Sequence, residues 1–203
     1  MNISAPKYAE LLERVRGDHC HRHVEAMFLY AAAPVLRGAK AASLITLRAD
    51  CGQSWKARRN ALLAATGLQT FEITNRQGSL LLIYDENALR TALEDARAAA
   101  LLLNYGYPAE TGLAAMLEHL QKRFEKSGFP HEIGLFLGYP PEDVWGFIVN
   151  EGKNYVCCRY WKVYHKAERA RETFRLIDEA QDYAADVLMR STPIHVAAKL
   201  LMA

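Results

Sequence analysis

Cysteine, net charge and long apolar runs are all scarce in this chain, and each scarcity excludes a class of protein. Cysteines stand only at positions 20, 51, 157 and 158 of the 203 residues. That density does not make a disulfide scaffold, so reduced thiols and a cytoplasmic location are expected. Lys and Arg number 25 against 23 Asp and Glu, a net charge of +2. No summed positive field is left to attract nucleic acid or anionic lipid. The stretch MFLYAAAPVL, Met27 to Leu36, is among the longest apolar runs, far short of the ~20 residues that cross a bilayer. The opening MNISAPKYAELLERVRG lacks the apolar segment of a secretory signal. Neither a membrane nor a nucleic-acid partner is expected.

Catalytic signatures are missing as well. The chain has no Walker sequence, no G-x-G-x-x-G, no G-x-S-x-G elbow and no H-E-x-x-H. The residue four beyond His131 is Leu135, so HEIG does not make a zinc-binding helix.

What remains is an ordinary globular balance, 51% hydrophobic and 24% charged, in a length that suits a single domain over 1–203. The pattern predicts N-terminal helices over 5–38, a mixed sheet with helices over 42–164, and C-terminal helices over 167–203. Gly17-Asp18 offers a break and an N-cap. Pro34 ends or kinks the second helix, and Gly67 stops a helix from Ser54 to Thr66. Thr70 to Asn75 and Ser79 to Tyr84, joined across Arg76-Gln77-Gly78, read as a β-hairpin. Helices are expected over Glu86 to Leu103 and Ala109 to Lys126. His131 to Leu137 and Tyr155 to Tyr164 read as strands around a helix begun by Pro141, where no amide partner is needed. That βαβ unit at 131–164 would be parallel and right-handed. The expected fold class is α/β, α+β-like, with about five strands in one mixed sheet flanked by helices.

Strand alternation then sorts the side chains. His131 and Glu132 would point to opposite faces, so a dyad acting on one atom is not expected. Glu132 would share its face with Gly134 and look over open space, since a strand glycine marks close approach by a ligand or another backbone. Cys158, Tyr160 and Lys162 would share a face of the later strand and reach Glu132, with a Lys162–Glu132 ion pair as the sharpest contact. The ligand-binding candidates are thus His131, Glu132, Gly134, Cys158, Tyr160 and Lys162, with Glu132 also the candidate general acid or base. Cys157 and Cys158, adjacent on a strand, cannot both ligate one metal, and buried reduced thiols are expected. His19 and His23, four apart on a helix, present two imidazoles on one face and are the candidate ligands for a metal or haem. Gly138-Tyr139-Pro140-Pro141 precedes a helix N-terminus but lacks the repeated glycines of a phosphate loop.

The runs Phe129-Pro130-His131-Glu132-Ile133-Gly134, LFLGYPPEDVWGFI, NYVCCRYWKVY and APVLRGAKAASLITL resemble DUF3793, a bacterial family of unknown function with a PHEIG motif. The last of them is similar to a family segment close to CAPTLAGIKPASLF. Where the family often has His-Cys before Ala-Pro, this chain reads Ala31-Ala32, so any shared chemistry cannot need that thiol. The resemblance implies a compact cytosolic protein and names no reaction or cofactor. Three readings stand: a small-molecule-binding or accessory protein, an enzyme using Glu132, and a metal or haem carrier. The partner expected is a small molecule or a protein, with the terminal helices available for a homodimer.

Overall fold

A computed structural model describes residues 6–15, 20–75, 78–108, 112–190 and 192–203. The Gly17-Asp18 cap, His19 and the Arg76-Gln77 turn lie outside the described residues. So does the Ala109 start expected for a helix; the described helix there begins at Leu113.

The fold is α+β, with a three-stranded antiparallel sheet as its middle layer. Helices α1 (Pro6–Val15) and α2 (Cys20–Leu36) lead into β1 (Ala42–Leu47), and α3 (Gly52–Thr66) leads into β2 (Gln69–Asn75) and β3 (Gly78–Tyr84). Strand β3 lies in the centre, in the order β1-β3-β2. The expected hairpin is therefore present, with Thr70 opposite Ile83 and Thr74 opposite Ser79. Alternation along β3 divides the core in two. Leu81 and Ile83 face a cluster built from α2, α3 and the C-terminal helices α9 (Ala167–Met189) and α10 (Ile194–Met202). Leu80, Leu82 and Tyr84 face the other cluster, formed by α4 (Glu86–Glu94), α5 (Ala96–Asn104), α6 (Leu113–Ser127), α7 (Ile133–Phe136) and α8 (Pro141–Val149). A period of two thus serves two hydrophobic layers at once.

Pro34 is accommodated inside the last turn of α2 rather than ending it. The single helix expected over Glu86 to Leu103 is two, because Asp95 breaks it. The Asp95 carboxylate accepts hydrogen bonds from the amides of Arg97 and Ala98 at 2.9 and 3.3 Å, capping α5.

The larger correction concerns 131–164. His131 to Leu137 is a turn and a one-turn helix, not a strand. Ile133 N donates to Pro130 O, Leu135 N to Glu132 O and Leu137 N to Ile133 O. A short, wholly buried apolar run does not distinguish helix from strand by periodicity. Tyr155 to Tyr164 is likewise a small antiparallel hairpin, with β4 (Cys157–Cys158) paired to β5 (Lys162–Val163). No parallel βαβ unit forms there, and the five strands among the described residues belong to two antiparallel sheets rather than one mixed sheet.

Candidate functional site

Asp143 builds the site from its position in the first turn of α8. Its side chain does not cap the helix that carries it. Oδ1 accepts from the amides of Tyr164 and His165 at 2.8 and 2.9 Å, and Oδ2 accepts from Trp161 Nε1 at 2.8 Å. The carboxylate is 2% exposed; three donors replace the water it loses. One residue thereby fastens the β4–β5 hairpin to α8. Gly146, a turn further on, lets the two approach: a Cβ there would stand 2.5 Å from Tyr164 Cγ.

Between the hairpin and the α7–α8 segment lies a cleft of about 500 Å³, within the range of small-molecule sites. His131, Gly134, Cys158, Tyr160 and Lys162 all line it. Its walls are chiefly aromatic. Tyr139 stacks on Trp161 with centroids 4.8 Å apart, and His131 meets the edge of Phe147 at 5.0 Å. Burial pushes the Tyr139 hydroxyl up to about 12, and that hydroxyl donates to Tyr160 O at 3.3 Å. Tyr160 is raised too, first by burial and then by its bond to Asp178, which accepts from the hydroxyl at 2.6 Å.

Gly134 has no open space above it. Val144 Cγ2 and Tyr139 Cδ2 would lie 2.8 and 3.2 Å from a Cβ there, so the glycine admits neighbouring side chains. Lys162 does not pair with Glu132. Its Nζ donates to Gly152 O at 2.7 Å and lies 5.0 and 5.6 Å from the ring centroids of Tyr155 and Phe147. With one of three ammonium donors used there, the cation is held at the cleft with donors to spare. Cys158 is exposed and Cys157 half-buried, contrary to the buried pair expected, because β4 is a two-residue surface strand.

Glu132 stands behind the cleft wall instead of on it. Arg123 Nε, from α6, donates to Oε1 at 2.6 Å, and the carboxylate side chain is 1% exposed. This ion pair holds the Arg123 guanidinium above its usual range. Tyr107, raised by burial and then by the Glu132 charge, contributes only a 3.5 Å hydroxyl contact to Oε1. Oε2 is buried and meets no hydrogen-bond partner among the described residues. His131 and Glu132 do point apart, the first toward Phe147 and the second into the protein, although a helical turn rather than strand alternation separates them. A carboxylate sealed from solvent and held on a guanidinium is poorly placed to exchange protons with a substrate.

Of the His19–His23 pair, His23 is half-buried on α2 and His19 lies outside the described residues. Among the described residues, no three His, Cys, Asp or Glu side chains are grouped to hold a metal. Sequence reasoning does not single out Asp143 or its three bonds. Phe147 and Arg123 are missed too, and Tyr139 enters only as part of the segment before a helix N-terminus. The Trp161 indole, whose N–H needs a partner when enclosed, was the one available hint that a buried acceptor stood opposite.

Fold and cleft define an α+β protein with an aromatic-walled cleft made by a pinned hairpin. Residues 28–197 match the family model described as Protein of unknown function (DUF3793), and the chain belongs to that family. No curated protein and no solved structure matches it.

Proposed function

We propose that this protein binds a small, flat, largely apolar molecule with one hydrogen-bond acceptor, in the cleft between α7–α8 and the β4–β5 hairpin. The observation that carries the reading is the convergence of His131, Gly134, Cys158, Tyr160 and Lys162 on one space of about 500 Å³. Aromatic walls offer a flat ligand stacking and edge contacts, and the spare Lys162 donors supply the polar contact that fixes its orientation. Binding is proposed to occur in the cytoplasm, in keeping with thiols at Cys157 and Cys158 that are not joined in a disulfide. Among the described residues, no helix is long and apolar enough to cross a membrane. A small molecule is preferred over nucleic acid because 25 basic residues nearly balance 23 acidic ones.

Mono- and bicyclic aromatic acids provide the test, read by thermal shift and by Trp161 fluorescence in a Trp55→Phe, Trp145→Phe background. Saturable quenching is expected for the acids that fit. In a Cys157→Ser variant, the same compounds should slow maleimide labelling of Cys158. A flat thermal response across the panel, with Cys158 labelling unchanged, overturns the reading.

A further inference from the structure

On the far side of the cleft wall, Leu137, Tyr139 and Tyr160 also face a second chamber, of about 140 Å³. The link between α2 and β1 contributes Lys40 to its lining. The amides of Ala39 and Lys40 both donate to Pro34 O, at 2.8 and 3.2 Å, which folds this link back on the helix. Gly138, at φ 74°, packs on it, since a Cβ there would lie 3.0 Å from the Ala41 Cβ. The fold thus seats Lys40 beside Tyr139. Its side chain is half-buried and lines the chamber with Tyr8, Tyr30, Ser43 and Gln181.

Lys40 is the unusual charge of the molecule. Among the described residues no carboxylate pairs with its ammonium and no hydrogen-bond acceptor meets it; the Tyr139 ring lies 5.6 Å from Nζ to centroid. Lys7 is paired with Asp186, and Lys162 is bonded to Gly152. A desolvated cation without an opposite charge favours losing its proton, which leaves a nucleophilic amine. The occupant is argued from charge. The acidic groups near the tyrosines of this chamber are carboxylates on α9: Asp178 binds the Tyr160 hydroxyl, and both Asp178 and Asp182 act on Tyr30. They would repel an anion and leave a neutral ligand unaffected. At about 30 Å³ per water, the space suits a molecule of a few carbons.

We propose that Lys40 is a reactive amine and that its chamber takes small neutral aldehydes or ketones, captured as an imine. The amine nitrogen attacks the carbonyl carbon and a C–N bond forms. The C–O bonds break, and the two amine hydrogens leave with the oxygen as one water, so nothing is oxidised or reduced. Burial supports this chemistry by lowering Lys40 to about 8. About a tenth of such an amine is neutral at pH 7, against about one part in 2,500 for an ordinary lysine. The titratable groups that line the chamber with Lys40 are Tyr8, Tyr30, Tyr139 and Tyr160, with Asp178 and Asp182 behind them.

The test is reductive trapping on the full chain, with propanal and cyanoborohydride at pH 7 followed by peptide mapping. Lys40 should be alkylated at least tenfold faster than Lys126 or Lys153, and its rate should level off above pH 8 while theirs still climbs. Lys40→Arg should remove the fast site while keeping the charge. Because the comparison between lysines is made within the wild-type chain, it does not depend on how the variant folds. Equal labelling of the three lysines overturns the proposal. So does protection of Lys40 by propanoate without any propanal adduct, which would make the chamber an anion site. The cleft reading is untouched by either result, since its own readouts are Trp161 and Cys158.

Discussion

Two carboxylates of nearly equal burial flank the α7–α8 segment, and they are satisfied to different degrees. Asp143 meets three donors, two of them backbone amides. Glu132 meets one guanidinium nitrogen closely and one hydroxyl at 3.5 Å, and its Oε2 has no partner among the described residues. The contrast teaches which buried charge shapes the site. A carboxylate bonded to main chain fixes the course of a loop, whereas one bonded to a long side chain ties together elements that hydrophobic packing already holds. Asp143 should therefore govern the cleft, and Glu132 the stability of the α6–α7 corner alone.

Asp143→Ala offers the largest test. It strands three donors, at about 1–3 kcal/mol for each one left buried, so a loss of about 4 kcal/mol is expected in urea unfolding. Trp161 emission should shift to the red as the hairpin lifts, and ligand quenching should vanish. Gly146→Ala attacks the same junction through packing. Its Cβ would overlap Tyr164, and overfilling a close contact costs about 1–3 kcal/mol. Some red shift of Trp161 should accompany it. Glu132→Gln should cost less, roughly 1–2 kcal/mol, because the amide oxygen can still accept from Arg123 and a charge-assisted bond becomes a neutral one. The decisive comparison is spectroscopic. If Glu132→Gln moves Trp161 as far as Asp143→Ala does, the division of labour between the two carboxylates is wrong.

Much of this arrangement was legible in the sequence, for identifiable reasons. Gly67 and Pro141 mark helix ends by local rules, and the 69–84 hairpin is local as well. Five of the six candidate residues line one cleft, with Glu132 behind its wall, even though the strand geometry used to choose them was mistaken. His131 and Gly134 flank a helical turn that carries them to the same wall as the hairpin's Cys158, Tyr160 and Lys162. What could not be read was long range. IGLFL is apolar in every position but its glycine, so it carries no period by which to tell turn from strand. The choice of Arg123 over Lys162 as the partner of Glu132 depends on where α6 lies, and nothing local to either residue encodes that.

Lys40 extends the comparison to a half-buried cation that, among the described residues, pairs with no carboxylate. Its folded pKa, about 8, lies below the usual 10.5. Between those values the unfolded chain holds a proton that the folded one has released, so stability should rise with pH across that window. Tyr30 and Tyr139 act the other way. Burial raises both from 10.0 to about 12, so above pH 10 the unfolded chain releases protons the folded one keeps, and stability should fall. The wild-type stability curve should therefore climb from pH 8 and turn over near pH 10. Lys40→Met should abolish the climb, keep the fall, and gain about 1 kcal/mol at pH 7, since a cation desolvated without compensation is removed. Urea midpoints collected at intervals from pH 7 to 11 measure all three features. A Lys40→Met protein that still gains stability from pH 8 to 10 would show that another group carries the titration, and the partnerless charge would then have to be sought elsewhere in the molecule.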